Sequence, residues 1–192
     1  MAETRVLFNG VASPLIYVSA GQVSAIVPYS VGTSGTAQLT TEYRGLRSNA
    51  VTVPIVAAKP GLFTANASGS GPGAIRNQDL SVNTASNPAP RGSIVVLYAT
   101  GEGATDPDGV DGQVAVSVFP KPRQPVVVRI GGVDAEILYA GAAPSLVAGV
   151  IQINAKVPGN VPDGAVPVQV LVGNAASPAG VTVAIQGDQI DK

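Results

Sequence analysis

The amino-acid sequence predicts an all-β protein made of two tandem β-sandwich units, the first of which lacks its opening strands. Two stretches of the chain repeat: VLFNGVASPLIY and QVSAIVP in the first half correspond to VRIGGVDAEILY and QINAKVP in the second. A repeat of this kind indicates two copies of one folding unit. The composition, with 23 glycines, 16 prolines and 12% charged residues, suits short strands and tight turns. Strand-like segments recur every ~8–12 residues, which is the spacing of a sandwich.

The first copy opens with a predicted β-hairpin. Asn9-Gly10 lies between two apolar runs, and this dipeptide favours a type I′ turn because both residues tolerate positive φ. Pro28 ends a later strand, because proline has no N–H to donate to a β-ladder. The predicted strands of this copy are Arg5–Phe8, Pro14–Val18, Gln22–Val27, Ala37–Tyr43 and Val51–Val53.

The second copy repeats this order with an insertion. Gly131-Gly132 occupies the place of the Asn-Gly turn. The offset between the copies is 122 residues at Tyr17 and Tyr139 and 130 residues at Gln22 and Gln152. The second copy therefore carries extra residues between these points. Its predicted strands are Val126–Ile130, Ala135–Tyr139, Gln152–Val157, Val166–Val172 and Val181–Val183.

An additional strand precedes the second copy only. Ile94–Ala99 is continuously apolar, as expected of a strand that is buried on both faces. The first copy has no counterpart, so we expect it to have an open edge. Exposed edges recruit strands. We expect upstream chain, residues 60–83 or another copy of the chain to complete the first unit.

These patterns divide the chain into four parts. Residues 1–58 form the incomplete first unit, and residues 59–89 form a connecting strand and a small hairpin. Residues 90–187 form the second unit, and residues 188–192 form a tail.

Seven short motifs occur in order along almost the whole chain. They are PGLFT, GPGA-x-x-NQD, NPAPRGSIVVLYATGEG, IGGVDAEILYAG, APSLV, QINAKVP and VTVAI. This set resembles an uncharacterised C-terminal domain found at the ends of large secreted proteins of Solibacter-type acidobacteria, and each repeat is similar to an Ig-like IPT/TIG module. The resemblance implies an Ig-like fold, an extracellular or cell-surface location and a longer parent protein, and it supplies no catalytic residues. Leu80 stands where the motif leads us to expect glycine.

Composition also disfavours several classes of function. The net charge is −1 and no basic run is present, which argues against nucleic-acid binding. No apolar run approaches the ~20 residues of a membrane span, so we expect no membrane insertion. The chain has no cysteine, which excludes disulfides, and no histidine, which removes the commonest general base and metal ligand. We therefore expect a protein that is not an enzyme and needs no cofactor.

Two groups of residues are candidates for binding. Asp106, Asp108 and Asp111 lie in a glycine-rich loop, where carboxylates at short spacing could bind calcium. Their spacing is not that of an EF-hand, and a solvated hairpin loop in which Asp and Gly serve the turn explains them more simply. Tyr29 and Tyr43 do not recur between the copies and are the better candidates for surface contact, including contact with a glycan.

Other repeated residues favour structural roles. We expect the recurring tyrosines, Tyr17 and Tyr139, to share a packing role, and Gln22 and Gln152 to form hydrogen bonds with neighbouring backbone.

The sequence predicts a non-catalytic structural, adhesive or protein-docking module of a larger extracellular bacterial protein. The expected partners are other domains of the parent protein or another copy of the chain. The alternative is a ligand-binding module for a glycan or calcium.

Overall fold

The computed structural model describes residues 3–187 and confirms that the protein is all-β. A single turn of 3-10 helix, Tyr29–Val31, is the one helical element within these residues. No helix in this part of the chain has the length and apolar character of a membrane span.

The first unit contains one five-stranded sheet and one separate two-stranded hairpin. Its strands are β1 (Thr4–Phe8), β2 (Val11–Ala12), β3 (Leu15–Val18), β4 (Val23–Ala25), β5 (Thr36–Tyr43), β6 (Leu46–Arg47) and β7 (Val51–Pro54). The main sheet has the order β2-β1-β5-β6, with β7 paired to β5, and β3 pairs with β4 in a separate two-stranded sheet. Val6, Phe8 and Ala37 are the buried residues of the small core between these two layers.

The connecting segment belongs structurally to the second unit. Its strands are β8 (Gly61–Leu62), β9 (Gly71–Pro72) and β10 (Ala89–Pro90). β8 pairs with the strand Ile94–Thr100, while β9 and β10 each pair in parallel with the strand Val181–Gln186. The side chain of Asn83 is hydrogen-bonded to both the N–H and the C=O of Ala184, at 2.8 Å each. Residues 60–83 therefore do not complete the first unit.

The second unit is a two-layer sandwich. Its own strands are β11 (Ile94–Thr100), β12 (Thr105–Asp106), β13 (Lys121–Pro122), β14 (Val126–Ile130), β15 (Val133–Ala135), β16 (Ile137–Ala142), β17 (Val150–Lys156), β18 (Gly164–Val172), β19 (Ala175–Ala176) and β20 (Val181–Gln186). One layer has the order β10-β20-β18-β14-β15 and the other β16-β17-β11-β8. Alternate residues of both layers meet in one continuous core, as in Ig-like sandwiches.

The two units pair their strands in the same pattern. Each interaction among β1–β7 has an equivalent among β14–β20, in the same order along the chain. The register of the β3–β4 pairing shifts between Leu15 and Tyr17. The register of the β16–β17 pairing shifts at the equivalent place, between Ile137 and Tyr139. The turn at Asn9-Gly10 has positive φ at both residues, +50° and +84°, as its sequence predicts.

The units differ in one central strand. β17 lies between β16 and β11, and it pairs with β11 along all seven residues of Ile94–Thr100. β4, which is the equivalent of β17, pairs with β3 alone among the described residues. The expectation that the first unit has an open edge agrees with this arrangement. β4 is also shorter than the predicted strand Gln22–Val27, because no second neighbour extends its ladder.

Candidate functional site

The junction between the two units is built around a glycine-rich loop that follows β11. Gly101 and Gly103 have φ of +79° and +74°. A Cβ at either position would collide with backbone of the segment that leaves the first unit, at the carbonyl oxygens of Lys59 and Ala57 respectively. The N–H of Lys59 also donates a hydrogen bond to the Gly101 carbonyl at 3.0 Å. Glycine at both positions lets the connecting backbone lie directly against the loop.

Tyr29 of the first unit makes the second contact of this junction. Its hydroxyl donates to Glu102 Oε1 at 3.0 Å, and its backbone N–H donates to Asp111 Oδ1 at 2.9 Å. Its ring lies over Gly109, where a Cβ would overlap the ring atoms. Two hydrogen bonds and one close contact therefore fix Tyr29 against the second unit.

Glu102 is the most deeply buried acidic side chain of the junction, with 4% of its surface exposed. Oε1 accepts the Tyr29 hydroxyl, whereas Oε2 is buried and has no hydrogen-bond partner among the described residues. Burial raises the pKa of the Glu102 carboxyl, and the hydrogen bond that it accepts from the Tyr29 hydroxyl only partly opposes this rise. Burial, with the nearby Glu102 charge, also raises the pKa of the Tyr29 hydroxyl far above its usual range.

A cleft of about 890 Å³ lies at this junction. Its walls come from both units and are mostly apolar, with Ile16, Ile55 and Phe63 among the lining side chains. Glu102 and Tyr29 contribute its polar groups. Such a space, with few polar groups in an apolar wall, has the character of a small-molecule pocket.

The three aspartates of the predicted calcium loop have separate roles. Asp108 forms an ion pair with Arg123 at 2.7 Å, and Asp111 accepts the N–H of Tyr29. Asp106 lies in β12 and precedes a cis peptide bond to Pro107. No group of three or more acidic, histidine or cysteine side chains suited to a metal ion occurs within residues 3–187. Calcium binding by this loop stays a prediction.

The candidate contact tyrosines differ from each other. Tyr29 is half-buried and makes its contacts inside the chain, as described above. Tyr43 is 52% exposed, and its ring stacks with Arg44, whose guanidinium carbon is 5.2 Å from the ring centre. Tyr43 is therefore the one of the two that is available to an external partner.

The tyrosines that recur between the copies do not share a packing role. Tyr139 donates its hydroxyl to the Ala142 carbonyl at 2.7 Å, beside Pro120 and Lys121, whereas Tyr17 is largely exposed.

The repeated glutamines also form few backbone contacts through their side chains. Gln152 donates to the side chain of Asn154 at 2.9 Å. The backbone of Gln22 forms three hydrogen bonds with Ser19: its carbonyl accepts from the Ser19 N–H and hydroxyl, and its N–H donates to the Ser19 hydroxyl.

Sequence reasoning did not identify the junction. The signal was present in Gly101-Glu102-Gly103, an acidic residue between two glycines directly after a buried strand. Its partner Tyr29 is 73 residues away in the chain, so no local pattern links the two.

Comparisons with known proteins give distant similarities only. No family model and no curated protein matches the chain. One similar solved structure is the Bacteroides ovatus mixed-linkage glucan utilization locus SGBP-B in complex with a mixed-linkage heptasaccharide, with 13% identity over 95% of this chain and 39% of that one, and a TM-score of 0.34. Another is the surface layer protein SbsC, domains 4–9, with 16% identity over 97% of this chain and 22% of that one, and a TM-score of 0.26. This chain thus spans well under half of either structure.

Proposed function

We propose that the chain is a non-catalytic structural module of a larger extracellular protein, in which two Ig-like units are held at a fixed angle. The observation that carries this proposal is the junction, where Tyr29 of the first unit is bound by Glu102 and Asp111 of the second. The extracellular setting is supported by the resemblance of the chain's motifs to a domain of secreted proteins.

The connection between the units favours a fixed angle over a flexible hinge. Flexible linkers are exposed and make few contacts with the domains that they join. Here Ala57 and Lys59 lie against Gly103 and Gly101, and Lys59 is hydrogen-bonded to the loop. Tyr29 contacts the same loop region from another part of the first unit. Two separate attachments restrain rotation in a way that one attachment does not.

The acidic side chains support a non-catalytic role. Glu42 lies between Arg5 and Arg47, and Glu136 is 3.8 Å from Lys156. These carboxylates are used in ion pairs on the surface. Glu102 is buried beside Tyr29.

Small-angle X-ray scattering of matched variants tests the fixed angle. Gly109→Ala places a methyl group where the Tyr29 ring lies, so we expect a broader distance distribution than in the wild type. Gly159→Ala is the control, since a Cβ there meets nothing within 4 Å. We expect the control to scatter like the wild type. A wild-type protein that already samples a broad range of inter-unit angles would contradict the proposal.

A ligand-binding module is the second candidate, and the cleft favours it. The cleft combines a volume of about 890 Å³ with a buried carboxyl oxygen that has no partner within the described residues. Calorimetric titration with soluble glucan oligosaccharides and with calcium tests this candidate. Saturable heat that is lost in Glu102→Gln would support binding in the cleft, and no heat with either would remove the candidate.

A further inference from the structure

The sheet β16-β17-β11-β8 of the second unit has an outer face that does not enter the core. Because neighbouring strand residues point to opposite sides, Leu97 lies in the core while Tyr98 points outward. Gln152 lies opposite Tyr98 in the antiparallel register, and Asn154 lies opposite Val96. Residues that are paired in this way point to the same side, so the two amides share the outer face with Tyr98.

Gln152 and Asn154 keep most of their hydrogen-bonding capacity free. Gln152 Nε2 donates to Asn154 Oδ1 at 2.9 Å, and neither side chain forms another hydrogen bond with the described residues. Gln152 Oε1 can therefore still accept, and Asn154 Nδ2 can still donate. Both side chains are only half-buried, and the Tyr98 hydroxyl beside them also has no partner within residues 3–187. Adjacent donors and acceptors of this kind suit the hydroxyl groups of a sugar.

Aromatic rings lie on both sides of these amides. Tyr98 is on the β11 side, and Tyr139 is on the β16 side, opposite Asn154. The Tyr139 hydroxyl donates to the Ala142 carbonyl at 2.7 Å. A Cβ at Gly141 would lie 3.0 Å from that hydroxyl oxygen, so glycine there lets the ring lie along the strand. The face thus combines two amides with two rings that have polar tips, which are groups that favour ligand contact.

Basic side chains without an ion pair surround the same face. Within residues 3–187, the lysines and arginines that form no ion pair are Lys59, Arg76 and Lys121. Arg76 is paired with Val96 at one edge of the sheet. At the other edge, Cγ of Lys121 lies 3.2 Å from the place of a Cβ on Gly141.

Lys59 completes this arrangement at one end of the face. Thr100 and Val150, which lie opposite each other in β11 and β17, line the cleft together with Lys59. Strands that are ~4.8 Å apart place Arg76 and Lys121 on the order of 20 Å from each other across the sheet. The unpaired cations therefore border an area that suits a short oligosaccharide.

Acidic side chains balance only part of this positive charge. Glu136 is paired with Lys156 at 3.8 Å. Asp106 lies opposite Lys121 in the β12–β13 pair, and no ion pair joins these two residues. The surroundings of the face are thus positive in a protein whose net charge is −1. A surface of this charge complements an anion.

We propose that this outer face binds an acidic polysaccharide, a linear glycan that carries carboxylate groups. Tyr98 and Tyr139 pack against the apolar faces of the sugar rings. Gln152 and Asn154 form hydrogen bonds with the sugar hydroxyls. The cations at the edges bind the carboxylates through charge-assisted hydrogen bonds.

The pairing of the strands favours a glycan over an acidic peptide. β11 and β17 are paired on both sides, so the face offers no free strand edge to which the backbone of a peptide could add. The site does not include Glu102, and it is independent of the fixed angle between the units.

Calorimetric titration of the full chain with a short oligogalacturonate tests the site. We expect saturable binding that weakens as the salt concentration rises, with NMR shift changes at the amides of β11 and β17. Tyr98→Ala should bind about tenfold more weakly, because it removes one of the two rings. Tyr43→Ala is the matched control, since its exposed ring lies in the first unit, and it should bind like the wild type.

A second pair of variants keeps the test decisive if Tyr98→Ala fails to fold. Lys121 is exposed, so Lys121→Ala should fold normally and bind about threefold more weakly. Arg129→Ala is its control, because Arg129 is an exposed residue of β14 in the opposite sheet. Equal affinity of these two variants would overturn the role of the positive edge.

Two further probes separate this proposal from its rivals. A poly-glutamate peptide of equal charge and a neutral glucan oligosaccharide of equal length should each bind at least about tenfold more weakly. Glu102→Gln should leave the binding of oligogalacturonate unchanged, which distinguishes this site from the cleft. Absence of saturable heat, equal binding of either probe, or loss of binding in Glu102→Gln would overturn the proposal.

Discussion

The first and second units have the same strand order and the same hairpin irregularity, yet their interiors are very different. The core centred on the second unit contains 21 buried apolar residues, whereas the core cluster of the first unit contains three. Equivalent positions on equivalent strands, such as Val23 and Ile153, are half-buried in one unit and fully buried in the other. The comparison teaches that strand order is set by local pattern and turns, while closure of the core depends on one central strand, β11.

The largest expected effect comes from truncating a matched pair of core residues. Ile153→Ala should cost about 2–5 kcal/mol of unfolding free energy, because it leaves a cavity in a closed core. Val23→Ala removes a side chain that water already reaches, and should cost under ~1 kcal/mol. Urea denaturation followed by circular dichroism measures both. Equal losses would show that the first unit is as well packed as the second.

Substitutions in the two equivalent hairpin turns should also change the unfolding free energy unequally, by less than the core substitutions do. Gly131 and Asn9 occupy equivalent turns, with φ of +59° and +50°. A Cβ at Gly131 would lie 3.1 Å from Val166 and 3.2 Å from Val161, so Gly131→Asn should overpack the second unit at a cost of about 1–3 kcal/mol.

The reverse exchange, Asn9→Gly in the first unit, should lower the unfolding free energy by less than Gly131→Asn does. It removes only the hydrogen bond that Asn9 Oδ1 accepts from the Gln38 N–H, for which we expect about 0.5–1.5 kcal/mol. Thermal denaturation of the two variants compares the turns. A larger loss of stability in Asn9→Gly than in Gly131→Asn would contradict the inference that the second unit is more tightly packed at its turn.

The smallest effect concerns the pH dependence of the junction. The pKa of the Glu102 carboxyl is raised in the folded protein above its usual value of 4.5. The stability that Glu102 contributes is therefore fully present below pH 4.5, and it is lost as the pH rises through the raised pKa. Glu102→Gln should therefore gain stability relative to the wild type as pH rises from 4 to 8.

Glu42 in the first unit provides a control of opposite sign. The hydrogen bond from Arg47 lowers the pKa of the Glu42 carboxyl, so its contribution is present above its usual pKa and is lost on acidification. Glu42→Gln should thus lose stability relative to the wild type as pH rises. Urea denaturation at several pH values checks both variants, and parallel profiles would contradict these assignments.

Much of the fold could be predicted because its signals are local. Asn9-Gly10 forms the predicted turn, and Ile94–Ala99 is a central buried strand as its continuous apolar run indicates. Leu80, where a glycine was expected, has φ of +68°, so the backbone there does adopt the conformation that favours glycine.

The junction could not be predicted, because its contacts join residues that are far apart in the sequence. Tyr29 and Asp111 are 82 residues apart, and nothing near either residue marks the other. The repeat in the sequence predicts that β4 and β17 are equivalent strands. The side chains that lie beside β4 depend on the register of β1, β4 and β5, which only the structure provides.

Native-state hydrogen exchange across both units tests most directly whether the first unit is an unclosed equivalent of the second. Amides of β4 and β5 should exchange through an opening of lower free energy than the amides of β17 and β18, because fewer buried contacts must break. Equal protection of the two units in the free chain would contradict the account.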